Sequence, residues 1–222
     1  KISVRYSMTE IVDRPEDIKN TRVRAALLDL GIRGNLEIIS WASVPAKTGL
    51  GSSSSFSVAL LKALHLFKDD KNLVEVEAAE AAARLEIDLV GELIGKQDQY
   101  AASFGGLNIY EFNPDDSVNI HPLHVNFEIM TQFEASLLLF FTGITRDASS
   151  VLAEQNVNAD KNFVVLGEMA DSVFEFKERL KRGEIKEVGR LLHDGWVKKK
   201  TLASSISNSI IDEIYSIGCE AG

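Results

Sequence analysis

Residues 49–55 read Gly-Leu-Gly-Ser-Ser-Ser-Ser, and an apolar helix over 56–67 follows without a spacer. Two glycines that feed serines into a helix start make a cradle for phosphate. Gly49 and Gly51 let the backbone approach a bulky anion, the amides of the first turn lack intrahelical acceptors, and the positive end of the helix dipole faces the ligand. A serine run by itself usually marks a flexible linker. Linkers, however, stay polar on both sides, whereas this run lies between Pro45 and Phe56-Ser57-Val58-Ala59-Leu60-Leu61. The serines must therefore occupy the first helical turn, where hydroxyls cap amides or bind a cation. A structural cap needs one serine, not four with two glycines.

Two familiar nucleotide loops are excluded by spacing. A Walker-type loop requires Gly, four residues, then Gly-Lys-Ser/Thr, and Gly91-Glu92-Leu93-Ile94-Gly95-Lys96-Gln97 departs from it in spacing and in its final residue. A Rossmann fingerprint needs a third glycine three residues beyond Gly51, where Ser54 and Ser55 stand instead. His121 and His124, with Asp115 and Asp116 nearby, lie on or beside a hairpin strand and lack further ligands for a metal.

The elements that hold the loop follow from apolar spacing and punctuation. A strand is expected at 2–6, then a helix from Pro15 and Glu16 through Ile18, Val23, Ala26, Leu27 and Leu30 until Gly31. A strand at 36–41 leads into the Gly-Ser loop and its helix. Lys68-Asp69-Asp70-Lys71-Asn72 is a polar link to a second helix over 74–85. A second dense motif, Gly95-Lys96-Gln97-Asp98-Gln99-Tyr100, is bounded by Gly105-Gly106. Strands at 107–112 and 118–123 flank the turn-rich Asn113-Pro114-Asp115-Asp116-Ser117 and predict a hairpin. The nearly all-apolar run 136–142 predicts a strand buried on both faces. Met169, Val173, Phe176 and Leu180 then mark one helix ending at Gly183, and Ile185, Val188 and Leu192 the next. A boundary near residue 133 divides the chain into 1–133 and 134–222.

Composition narrows the function classes. The 222 residues, 45% hydrophobic, are enough to bury a substantial core, and a formal charge of −9 with basic residues clustered only at Lys198-Lys199-Lys200 argues against nucleic-acid partners. The lone Cys219, the absence of an apolar run of about 20 residues and the lack of a signal-peptide pattern predict no membrane partner and a reducing cytoplasm. Lys1 opens a strand-like stretch and Cys219-Glu220-Ala221-Gly222 trail off a helix, so the chain is expected to be an internal piece of a longer protein. Oligomeric state is not readable from one sequence.

The segment Pro45-x-x-x-Gly49-Leu50-Gly51-Ser52-Ser53 followed by small residues resembles the second motif of the GHMP kinases, the family of galactokinase, homoserine kinase and mevalonate kinase. That resemblance implies an α+β fold of two parts, an N-terminal domain like the second domain of ribosomal protein S5 and a ferredoxin-like C-terminal domain, both incomplete here. It implies ATP binding by Pro45, Gly49, Leu50, Gly51, Ser52, Ser53 and Ser54. It also implies magnesium held by Ser53 and Glu86, and catalysis by Asp98, which stands twelve residues after Glu86 as in galactokinase-like members. Such chemistry needs the phosphoryl charge neutralised and the acceptor hydroxyl relieved of its proton, with Asp98 as base and Lys96 nearby to keep it ionised.

Within the family, Gly95-Lys96-Gln97-Asp98-Gln99-Tyr100-Ala101-Ala102-Ser103-Phe104-Gly105-Gly106 and Phe141-Thr142-Gly143-Ile144-Thr145-Arg146 are similar to the D-glycero-D-manno-heptose 7-phosphate kinases. The implied reaction is ATP-dependent phosphorylation of the anomeric hydroxyl to give a 1,7-bisphosphate. Fucose and galactose kinases are the enzyme alternatives, and a non-catalytic sugar- or ATP-binding regulator is the alternative of another class. Lys96, Gln97, Tyr100, Thr142 and Arg146 are the expected substrate contacts, with Lys47 a further cation and Thr145 a further hydroxyl. The family's first motif and its C-terminal glycine-rich motif have no counterpart in these residues, so the piece alone is expected to be a poor kinase.

Overall fold

The computed structural model describes residues 1–43, 48–144 and 148–221, without the side chains of 148–150. Contacts group the chain into two units, Lys1–Gly106 and Leu107–Gly222. Both mix helix and strand, and helix predominates.

In the first unit the sequence opens on alternating residues, and β1 (Ile2–Arg5) buries Ile2 and Val4 on one face. β1 pairs antiparallel with β2 (Thr9–Val12), in register Ile2 to Val12, and parallel with β3 (Leu36–Ile39), in register Ile2 to Leu36. The sheet order is β2-β1-β3. A parallel pair requires a crossover, and α1 (Thr21–Asp29) supplies it. The helix expected to run on from Pro15 is broken: a 3-10 turn covers Pro15–Asp17, and α1 restarts at Asn20, whose side chain accepts from the Val23 amide. An Asn cap is a stronger start signal than Pro alone.

α2 (Ser52–Asp69) and α3 (Glu75–Arg84) pack with α1 on the sheet through Val58, Leu61, Leu64, Ala78, Ala82 and Leu85. Alanines on the buried face of α3 allow close approach of helix backbones. At its end the chain widens into a π-helical turn, Leu85–Leu89, closed by Val90 N donating to Leu85 O at 2.9 Å. Such turns insert one residue into the helical count and recur at functional sites. α4 (Gln97–Phe104) follows, and Gly105 at φ 62° ends it.

In the second unit β4 (Asn108–Phe112) and β5 (Val118–Pro122) form the expected hairpin, with Phe112 opposite Val118. Its turn is set by Asp115, which accepts from the Ser117 amide, and by Asp116 at φ 66°. α5 (Phe127–Ala135), α6 (Ala148–Val157), α7 (Phe163–Lys181), α8 (Ile185–Leu202) and α9 (Ser209–Glu220) complete it. Leu123, Leu180 and Val188 form one small core with Ile129, Phe133 and Phe176, and Leu202, Ala203 and Ile206 another with Met169 and Trp196.

The expected strand at 136–142 is a correction. No strand forms there, and Leu138 and Leu139 are 80% and 81% exposed, with Phe140 and Phe141 also open to solvent. An apolar run signals burial, but a strand exists only with a ladder partner, and the only sheet in this unit among the described residues is the β4-β5 hairpin.

Candidate functional site

The chemistry-bearing residues of the first unit converge on the start of α2. Gly49 has φ 76° and Gly51 φ 63°, left-handed values that a side chain resists, and they turn the chain into the helix. The first intrahelical bond runs from Ser55 N to Gly51 O at 2.9 Å, and the N-cap residue, a glycine, has no side chain with which to cap the helix start. The first-turn amides are thereby left facing outward with the dipole behind them, the arrangement an anion needs.

Asp98 lies against this start. A carbon placed at the Cβ position of Gly51 would stand 3.4 Å from Asp98 Cγ and Oδ2. The loop glycine and the carboxylate of α4, 47 residues apart in sequence, are separated by little more than a methyl group. Asp98 is exposed.

The serine run divides into two roles. Ser53 is exposed at the helix start, whereas Ser54 and, one turn on, Ser57 are buried and turned inward. Ser54 Oγ donates to Glu86 Oε2 at 2.9 Å and Ser57 Oγ to Glu86 Oε1 at 2.7 Å. Gln99 Nε2 also donates to Glu86 Oε2, and Arg22 Nε donates to Oε1 at 3.0 Å. Glu86, 0% exposed and held in the π turn, thus accepts four hydrogen bonds on two oxygens. Sequence reasoning missed Arg22, Ser57 and Gln99. The signal was present in Glu86 itself, which follows Ala78, Ala82 and Leu85 on a core-facing stripe, because a buried carboxylate requires donors and a cation.

The remaining expected contacts are placed as follows. Lys96 Nζ lies 3.6 Å from Glu80 Oε2 and pairs with that carboxylate. Tyr100 is buried, stacks on Phe104 and donates its hydroxyl to Glu80; burial, then that bond, pushes its pKa far above the ordinary tyrosine value. Gln97 is exposed on the first turn of α4 beside Asp98. Leu50 is half exposed on the loop. Thr142, in the second unit, accepts from the Ile144 amide at 3.4 Å. Pro45, Lys47, Thr145 and Arg146 lie outside the described residues.

Magnesium, a hard cation that seeks oxygen, would meet exposed oxygens in Ser53 and Asp98. Glu86 has its lone-pair directions filled by donors, and would join such a site only by giving one of them up. Among the described residues no cluster of His, Cys, Asp and Glu forms a metal site by itself, and no helix is long and apolar enough to cross a membrane.

Comparison with known proteins agrees with the fold. Residues 20–106 match the family model described as the GHMP kinases N terminal domain. The chain is 32% identical, over 187 residues, to the D-glycero-alpha-D-manno-heptose 7-phosphate kinase of Campylobacter jejuni, covering 82% of this chain and 54% of that protein. It is 29% identical to the L-fucokinase/L-fucose-1-P guanylyltransferase of Bacteroides fragilis, covering 86% of this chain and 20% of that one. It spans about half the length of the first of these relatives and less of the other. Among solved structures, a D-glycero-D-manno-heptose 1-phosphate kinase from Bacteroides thetaiotaomicron superposes with a TM-score of 0.74 at 26% identity, covering 90% of this chain and 63% of that one. A putative sugar kinase from Campylobacter jejuni gives 0.71 at 28%, covering all of this chain and 67% of its own.

Proposed function

Since the chain belongs to the GHMP kinases, we propose that it is the ATP-site portion of a sugar kinase that phosphorylates the anomeric hydroxyl of a heptose 7-phosphate, giving the 1,7-bisphosphate. The observation that carries this reading is the approach of Asp98 to Gly51 at the start of α2. It supports Asp98 as the base, since its carboxylate lies beside the helix N-terminus that would hold the phosphates of ATP. The choice of sugar rests on the 32% identity to a heptose 7-phosphate kinase.

The chain's own residues divide the work. The amides of Ser52, Ser53 and Ser54, with the left-handed glycines that aim them, cradle the phosphates. Asp98 takes the proton of the acceptor hydroxyl while that oxygen forms a bond to the γ-phosphorus and ADP departs with the electron pair of the broken bond. Ser53 offers an exposed hydroxyl oxygen to magnesium, and that ion, when bound, neutralises charge on the transferring group. Gln97, exposed beside Asp98, is a proposed sugar contact, and Thr142 and Arg146 are the further proposed substrate contacts.

The experiment is ADP release by the full-length protein with ATP, magnesium and a panel of heptose 7-phosphate, fucose and galactose, followed by phosphorus NMR of the product. The expected result is turnover of heptose 7-phosphate with a new anomeric phosphate signal, lost by at least about 100-fold in Asp98→Asn. Turnover of fucose alone would move the substrate to the fucokinase reading, and full activity in Asp98→Asn would remove Asp98 as base.

A further inference from the structure

Glu86 is 0% exposed and accepts four hydrogen bonds, from Arg22, Ser54, Ser57 and Gln99. Among the described residues the one cationic side chain bonded to it is Arg22 of α1, itself only 21% exposed. The same guanidinium reaches Glu92 with Nη2 at 2.7 Å, so a single cation lies between two carboxylates. Gln99 shows how strongly Glu86 organises its surroundings. Its Nε2 is turned to Glu86, while its buried Oε1 has no hydrogen-bond partner among the described residues. An unsatisfied buried carbonyl is costly, and the amide holds this orientation because the carboxylate needs its donor.

These bonds join the two halves of the candidate site. Ser54 and Ser57 sit in the first two turns of α2, whose start is the phosphate cradle, and Gln99 is the next residue after Asp98 on α4. We propose that Arg22 is a positioning residue of the phosphate site: by neutralising Glu86 it lets that carboxylate clamp the start of α2 to the start of α4, and so sets the gap between Gly51 and Asp98. This rests on the reading of that gap as the phosphoryl-transfer site. Arg22 touches no reacting atom and acts only through Glu86. Its planar fork suits two carboxylates at once, which a lysine ammonium serves less well.

The test compares Arg22→Met, Arg22→Lys, Glu86→Gln and the double variant Arg22→Met/Glu86→Gln in the full-length protein. Melting temperature and affinity for magnesium AMP-PNP are read, the latter by calorimetry well below the melting point. Arg22→Met should melt about 5–10 °C lower, because it strands a buried charge. It should also bind AMP-PNP about tenfold more weakly, equal to about 1.4 kcal/mol, because the first turn of α2 loses its anchor. Arg22→Lys should recover part of both losses and supplies the affinity measurement should the Met variant fail to fold. The double variant should recover most of the melting loss, since no charge remains to be neutralised. A purely structural arginine would move the melting temperature and leave the affinity of the folded protein unchanged; that result, or strictly additive losses in the double variant, overturns the proposal. Retained activity in Asp98→Asn would instead sink the reading of the site and leave the coupling between Arg22 and Glu86 intact.

Discussion

Gly51→Ala and Gly49→Ala separate the two jobs a loop glycine does. Both positions have left-handed φ, 63° and 76°, so both substitutions carry the same backbone penalty of about 1–2 kcal/mol. At about 2–4 °C per kcal/mol for a chain of this size, each variant should melt about 2–8 °C lower. Only one of them meets the carboxylate. The new methyl at residue 51 would lie 3.4 Å from Asp98 Cγ and Oδ2 and 3.5 Å from its Cβ, whereas no atom of the described residues lies within 4 Å of one at residue 49. A contact at 3.4 Å is no clash, so Asp98 need not move; the methyl fills the space through which a phosphate oxygen must approach. Displacing that oxygen by about 1 Å costs on the order of 100-fold in rate, about 2.7 kcal/mol of barrier. The assay is initial ADP release about 15 °C below the lower melting point, alongside the melts. A fall of about 100-fold in kcat/KM for Gly51→Ala against less than about fivefold for Gly49→Ala is expected. Equal falls in the two variants, with equal melting shifts, would refute the argument that the gap beside Asp98 is where transfer occurs.

Ser53→Ala removes an exposed hydroxyl, so its melting point should stay within about 2 °C while the magnesium concentration for half-maximal rate rises about three- to tenfold; an unchanged magnesium requirement would take Ser53 out of the ion's coordination. Glu154 accepts from the hydroxyls and amides of Ser204 and Ser205, led by the Ser205 hydroxyl, and these bonds hold its pKa down to about 2 from an ordinary 4.5. A depressed folded pKa contributes stability that is present above 4.5 and lost as pH falls toward about 2, so melting curves from pH 5 to pH 2.5 should show an acid-side loss that Glu154→Gln lacks; parallel curves would refute it. Replacing Leu138 and Leu139, 80% and 81% exposed, by serine should change the melting point of the 222-residue chain by less than about 2 °C, and a fall of core size would show that they are covered.

What could be read from the sequence was local. The start of α2, the β4-β5 hairpin and the faces of α7 and α8 are written in caps, turns and 3.6-residue spacing, and the structure has them within a residue or a few at most ends. β2 was not legible, because Thr9-Glu10-Ile11-Val12 becomes a strand only by pairing with β1, while Glu10 folds back to accept from the Lys19 and Asn20 amides. α5 was missed for a similar reason: its residues pack only partly, against Leu180 and Val188 from later helices. In the candidate site, Gly51 and Asp98 were legible as residue types in motifs. The inward turn of Ser54 was not, since neighbouring serines look alike until a helix gives each a direction. Arg22 lies 64 residues before the carboxylate it neutralises, and only the packing of α1 on the π turn brings them together.

That wide turn has a consequence for how the protein tolerates insertion and deletion. Leu85–Leu89 closes through a bond from Val90 N to Leu85 O, so the chain carries one more residue there than an α-helix would. Losing a single residue within it would leave both glycine-rich segments spelled as before, yet everything downstream would rotate by about 100° about the helix axis relative to α3. The segment thus behaves as a phase shifter between two motifs. A lineage could vary the length of the polar link at 68–72 far more freely than it could vary these five residues.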